Sequence, residues 1–207
     1  MSAPRFGSGA EQPSATQRIL LAAAHRIALS GAAELSIQDV AVDAGVSKAL
    51  VHYHFHDKDT LLASLIEHLV VGLVAREREA LAAHAKQHDP LAVDALWRWV
   101  EDELQRGDVR VLLELDTYRG AAVQAAARRA AQRRREVAAD TIARLLNILD
   151  LKPRVAPALL ANVAVAFLDG LAIETALART GSSAQQDSTA ARVAFDVFWL
   201  AMLSLAE

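Results

Sequence analysis

Along most of this chain the apolar residues return at every third or fourth position, the spacing of one helix face. Strict alternation, the mark of a half-buried strand, is not sustained, and no strand pair is predicted. Ser14-Ala15-Thr16-Gln17 reads as a capping box, with Ser14 as N-cap and Gln17 three residues on. Ile19, Leu20, Ala23, Ile27 and Ala28 follow at helical spacing until Ser30-Gly31. Ser36, with Asp39 behind it, starts a second helix that stops at Ala44-Gly45. Ser47 restarts the chain as a third helix, which runs to about Phe55.

Asp57 caps a long helix to about His84, and His88-Asp89-Pro90 breaks the pattern. Leu91 to Gln105 carries Val93, Leu96, Trp97, Val100 and Leu104 on one face. Gly107-Asp108 opens a short helix through Tyr118, and an Ala/Arg-rich helix spans about Gly120 to Leu149. After a turn at Asp150 to Pro153, helices are predicted over Val155 to Arg179 and Ser188 to Ala206, with a loop between them from Thr180 to Asp187. The fold class is all-α, about nine helices without an internal repeat.

Composition narrows this picture. Hydrophobic residues make up 53% of the 207, ample for a buried core. There are no cysteines, which excludes disulfides, thiolate nucleophiles and cysteine-ligated zinc. The first residues, with Pro4, Gly7, Gly9 and Pro13, lack an apolar signal core and read as a flexible tail over 1–13. Val155 to Ala178 is the most membrane-like stretch, but Asn162, Asp169 and Glu174 interrupt it. A buried helix of a cytoplasmic protein is expected there, with no membrane partner. The net charge of −3 means that any DNA-facing patch must be local.

Such a patch is readable near the start. Two short helices joined by Gly45-Val46-Ser47 have helix-turn-helix geometry. Gly45 can take the positive φ of the turn. Val46 can plug the angle, and Ser47 can cap the second helix. Val51 and Phe55, at i and i+4, are expected inside, leaving Lys48, Ala49, His52 and Tyr53 outside. In such motifs the second helix enters the major groove.

The stretch SIQDVAVDAGVSKALVHYHFHDKDTLL resembles the amino-terminal domain of the tetracycline-repressor (TetR) family of transcriptional regulators. Ala44-Gly45-Val46-Ser47, Tyr53-His54-Phe55, Lys58 and Leu61-Leu62 carry the resemblance, over about residues 14–65. It implies a DNA-binding domain at 14–60 and a ligand-binding and dimerisation domain at 61–207. It implies DNA contacts at Ser36, Gln38, Ser47, Lys48, Ala49, His52, Tyr53 and Lys58, with double-stranded DNA carrying a near-palindromic operator as partner. Three positions depart from the pattern. His52 replaces an aromatic residue, Ala49-Leu50 stands where Gly-Thr is usual, and His56 stands in place of Pro. Leu50 either touches a thymine methyl or adds to the core.

Residues 1–60 hold five basic side chains (Arg5, Arg18, Arg26, Lys48, Lys58) against six acidic ones, so affinity per monomer is expected to be modest. The alternate spacing of His52, His54 and His56 would gather metal ligands on a strand, not on a helix, so no metal is expected. Two readings remain for them. His52 is a DNA contact beside two ordinary residues, or charging near phosphates tightens binding as pH falls.

In the larger unit the candidates for a ligand site are Trp97, Leu112, Leu115, Asp116, Arg119, Asn162 and Phe167, with Trp97 and Phe167 equally readable as plain core. Trp99 lies about 200° from Trp97 on the helix, so the two are not expected to point inward together. Arg128, Arg129, Arg133, Arg134 and Arg135 read as a solvated face or a second DNA surface. The last two helices are more apolar than one monomer needs. By the resemblance, Phe167, Leu171, Phe195, Phe198, Trp199 and Met202 would join a homodimer interface. The expected protein is a dimeric repressor released from DNA by a small, largely apolar effector, with no cofactor and no enzymatic activity. The alternative is a helical carrier or enzyme, for which no converging set of catalytic groups is found.

Overall fold

The computed structural model describes residues 13–82, 84, 89, 91–178 and 184–207. The expected tail and the centre of the loop before the last helix therefore fall outside the described residues. Within them are nine helices: α1 (Ala15–Ser30), α2 (Ile37–Asp43), α3 (Lys48–Phe55), α4 (Lys58–Ala82), α5 (Ala92–Arg106), α6 (Asp108–Asp116), α7 (Ala121–Ile148), α8 (Pro157–Ala178) and α9 (Ala184–Leu203). Among the described residues there is no strand beyond one isolated bridge between Pro153 and Ala206.

The helix starts are set by the residues expected to cap them. The Ser14 hydroxyl accepts from the Gln17 N–H at 3.2 Å while the Gln17 side chain accepts from the Ser14 N–H at 2.8 Å, a complete capping box. Ser36 caps α2, Ser47 caps α3, and Asp57 accepts from the Thr60 N–H at 2.7 Å to cap α4. That bond holds the Asp57 carboxyl below its ordinary range. Two boundaries differ from expectation. α9 begins at Ala184, four residues before Ser188, and α6 ends at Asp116, short of Tyr118, where Thr117 closes the last turn.

Two apolar clusters share α4. The first joins α1, α2, α3 and the start of α4 to Val111, Leu112 and Leu115 of α6 and Val123 and Ala126 of α7. The second joins the far half of α4 to α5, α7, α8 and α9. α4 runs unbroken through residues 60 and 61 and packs along α7. From Lys58 to Leu73 and Glu77 it covers roughly 22–28 Å at 1.5 Å per residue.

Three charged side chains lie on the apolar phase of their helices and are buried: Glu77, Glu103 and Arg134. Arg76 of α4 binds the Glu103 carboxylate with two nitrogens and reaches Asp108 at 2.8 Å, tying α4, α5 and α6 together. Arg134 pairs with Asp169 across α7 and α8. Arg128, Arg129 and Arg133 are exposed on α7, so Arg134 is the member of the run that a solvated face does not describe.

The tryptophan expectation is corrected. Trp97 and Trp99 are both buried, because α5 has neighbours on two sides. Trp97 meets Phe195 of α9 with ring centroids 5.2 Å apart, while Trp99 turns to the side of α4 and α7. α8 is corrected too. Its 21 residues from Pro157 to Leu177 are long and apolar enough to cross a membrane, and only 28% of the most apolar stretch is buried. It is a core helix along one face only.

Candidate nucleic-acid interface and internal cavity

The turn between α2 and α3 is built by backbone chemistry. Gly45 sits at φ +64°, where a side chain is strained. Its N–H donates to the Val42 carbonyl at 3.1 Å, and the Val46 N–H donates to Ala41 at 3.0 Å, which closes α2. Arg18 of α1 donates to the Ala44 carbonyl at 3.1 Å, and Arg26 pairs with Asp43. Val51 and Phe55 are buried beneath α3, and Val46 is half-buried against the same core. Burial of Phe55 alone is worth about 1.5–3 kcal/mol.

The outward face then follows. Gln38, Ser47, Lys48, Ala49, His52, Tyr53 and His54 are exposed, Ser36 and Leu50 are half-buried, and Tyr53 keeps 76% of its surface. The eight positions expected to meet DNA thus lie on the starts of α2 and α4 and along α3. The Ser36 and Ser47 oxygens accept from the Gln38 and Leu50 N–H groups at 3.2 and 3.1 Å, which leaves each hydroxyl proton free for an outside acceptor. The helix starts add unpaired N–H groups there.

The cations divide sharply. Arg18 and Arg26 are used inside the unit, as above. Lys58 donates to the Ala33 carbonyl at 3.0 Å, and its ammonium sits 5.7 Å from the centre of the Tyr118 ring. Among the described residues of this unit, Lys48 is the one lysine or arginine left without an intramolecular partner.

His52 is placed by a local bond that its sequence position did not announce. His56 ends α3 at φ +61°, unusual for a residue with a side chain, and turns its carbonyl back along the helix. The His52 ring donates from Nδ1 to that carbonyl at 3.0 Å. In neutral His52 this leaves Nε2 as an acceptor facing outward.

A second contact zone joins this unit to α6 and α7. Arg110 donates to the Ala28 carbonyl, and the Ala32 N–H donates to Glu114 at 3.2 Å. Asp59 stands against Tyr118 and Gly120. Burial first, and the Asp59 carboxylate second, push the Tyr118 phenol above its ordinary value. A Cβ at Gly120 would collide with the Asp59 carboxylate, so any other residue there requires that side chain to move.

Deeper in the molecule an apolar cavity lies between α4, α5, α7, α8 and α9. Leu73, Trp99, Val100, Phe167, Phe198 and Trp199 are among its walls, with Glu77, Arg134 and Thr141 as its polar groups. Phe167 and Phe198 stack with centroids 4.2 Å apart. Burial is the largest influence on Glu77 and raises its carboxyl to about 7, against a hydrogen bond from Thr141 and the Arg134 charge, which lower it.

Of the expected ligand residues, Phe167 lines this cavity. Trp97, Leu112 and Leu115 are buried elsewhere in the cores, while Asp116, Arg119 and Asn162 are exposed. The other walls, Glu77, Trp99, Arg134 and Trp199 among them, were not expected at a ligand site. The residues expected at a dimer interface divide between the core and the half-buried surface. Leu171, Phe195, Trp199 and Met202 are buried within the monomer, and Phe167 and Phe198 are half-buried. The exposed apolar residues on these helices are Leu159, Val163, Ile173 and Leu177 of α8 and Val193, Val197 and Leu200 of α9. Their spacing of three and four is itself a helical seam, legible in the sequence.

A capped helix-turn-helix with an exposed second helix, set on a helical body with a cavity, defines a DNA-binding regulator. Residues 19–65 match the family model for bacterial regulatory proteins of the tetR family. These residues are a TetR-family DNA-binding domain, and the chain has the fold of that family's regulators. It is similar to a chain from Rhodococcus sp. described as a TetR-family transcriptional regulator, with 25% identity, 89% of this chain and 97% of that one covered, and a TM-score of 0.68. A TetR transcriptional regulator from Legionella pneumophila shares the fold at 15% identity, covering 93% and 99%, with a TM-score of 0.72. A chain from Saccharomonospora viridis described as a transcriptional regulator, solved in complex with choline, is 26% identical over 87% and 95%, with a TM-score of 0.66. No significant sequence match was found among curated proteins.

Proposed function

We propose that this chain is a cytoplasmic, dimeric repressor that holds a near-palindromic operator and is released by a small, largely apolar effector. The observation that carries it is the exposed face of α3, with Lys48, Ala49, His52 and Tyr53 presented above a buried Val51 and Phe55. In this reading the N-terminal residues of α3 enter the major groove. Lys48 reaches a guanine edge or a phosphate, and Tyr53, Ser36, Ser47 and Gln38 hold the backbone. Lys58 adds a phosphate contact with the donors that Ala33 leaves free. Neutral His52 accepts from the amino group of an adenine or cytosine.

The seam on α8 and α9 supports the homodimer. Leu159, Val163, Val197 and Leu200 would pack against the same residues of a second copy as a four-helix interface. Two α3 helices then stand one DNA turn apart, about 34 Å. α4 begins beside α3 and forms a wall of the cavity through Leu73 and Glu77, so an occupant that moves α4 changes that separation. The choline of the Saccharomonospora viridis structure favours a second reading of the ligand, a small cation set against Glu77.

Selection from random DNA with the purified protein, followed by footprinting, tests the reading. Enrichment of a palindrome with half-sites one turn apart, protected by a dimer, is the expected result. A pool with no enriched sequence contradicts it.

A further inference from the structure

The cavity contains two groups that a simple apolar cage does not require. Trp99 of α5 and Trp199 of α9 line it, each more than nine-tenths buried. Among the described residues, the indole N–H of neither finds an acceptor. Folded proteins satisfy nearly all buried donors, and an unmet one costs its full desolvation. Phenylalanine would supply an aromatic wall without that cost. That two residues with such donors, from helices about a hundred positions apart in the chain, line the same cavity points to an occupant that completes them.

The other polar groups of the cavity are already engaged. Arg134 is paired with Asp169, and Glu77 is hydrogen-bonded with Thr141. Burial favours the neutral form of Glu77, the opposite of what a cation site maintains. The remaining walls, Leu73, Val100, Phe167, Phe198 and Met202, offer only hydrocarbon, ring faces and a thioether. The cavity volume is about 70 Å³, several times what one water needs and about half of the roughly 150 Å³ that takes benzene, so a ring-sized occupant displaces the surrounding walls.

We propose that the cavity binds a small, uncharged aromatic or alicyclic molecule carrying an acceptor oxygen (a ketone, ester or ether), to which Trp99 and Trp199 donate their indole N–H groups. This rests on the reading of the cavity as the effector site, and it fixes the ligand's chemical class.

Calorimetric titration of the purified protein with three probes of similar size tests it without DNA. Acetophenone carries the acceptor, cumene is its hydrocarbon counterpart, and benzyltrimethylammonium is the cation. Acetophenone is expected to bind at least tenfold more tightly than either of the others. Trp99→Phe and Trp199→Phe, made separately, should each reduce that preference severalfold while leaving cumene within about twofold. Equal or undetectable binding of acetophenone and cumene by the native protein overturns the proposal, and so does tighter binding of the cation. Those comparisons hold even if a variant fails to fold. Operator affinity of the unliganded protein is a separate measurement. A failure of the DNA-binding reading is therefore distinguishable from a failure of this one.

Discussion

The helix-turn-helix and the internal cavity of this molecule are built on different length scales. The α2–α3 turn and helix ends are set by caps and contacts three to five residues apart, Ser47 to Leu50, Val46 to Ala41 and His52 to His56, and Arg18 and Arg26 tie the unit to α1. The cavity is assembled from five helices, and its ion pair joins residues 35 apart in sequence. The first is polar chemistry presented outward on a small buried base. The second is polar chemistry carried inward on the apolar phase of long helices. Local geometry of the first kind makes a rigid reading surface, whereas a cavity of the second kind deforms when its helices shift. A regulator needs both.

On the proposed dimer, breaking the seam should have the largest effect, because it would remove the pairing of two reading surfaces. Leu200→Asp would place a charge on the exposed stripe of α9. Burial of that charge in an interface costs several kcal/mol, so light scattering should find monomers and operator affinity should fall about 100-fold or more. The melting curve of the monomer should stay cooperative.

Glu77 sharpens the cavity side. Its carboxyl titrates at about 7 in the fold against an ordinary 4.5. A raised acid binds more protons when folded than when unfolded, so this group lowers stability as pH rises from 4.5 to about 7. Above that the penalty is complete, at most about 3 kcal/mol on 1.36 kcal/mol per unit. Glu77→Gln should therefore raise the melting temperature by several degrees at pH 8 and change it little near pH 4.5, as read by circular dichroism.

The smallest expected effect is on the reading side. His52→Ala would remove the proposed base contact and the acceptor face fixed by the His56 carbonyl. Operator affinity should fall about tenfold at one base pair of each half-site, and discrimination there should relax. An unchanged preference at every position would remove His52 from the interface.

The difference in scale also explains what was legible in the sequence. Ser14, Ser36, Ser47 and Asp57 announce helix starts because a cap is a property of four consecutive residues. Gly45 and the inward pair Val51 and Phe55 were readable for the same reason. The cavity was not, since Trp99 and Trp199 are brought together only by packing. A single buried face on α5 selects Trp97 alone, but neighbours on two sides of the helix bury both Trp97 and Trp99. Arg134 and Glu77 leave a trace in the sequence, as each falls on the phase of its helix's buried stripe. Phe195, Trp199 and Met202 were expected at a dimer interface because they are large and apolar. In the fold, size drives them into the monomer core and leaves Val193, Val197 and Leu200 exposed.

The most direct measurement is a fluorescence-anisotropy titration of the selected operator with native protein and with the Lys48→Ala, Tyr53→Ala double variant. Both side chains are exposed and have no role in the core, so the variant should melt as the native protein does and bind its cavity ligand equally well. Operator affinity should drop about 100-fold or more, from lost contacts on both copies. Native affinity in a folded double variant would contradict the assignment of α3 as the surface that reads DNA.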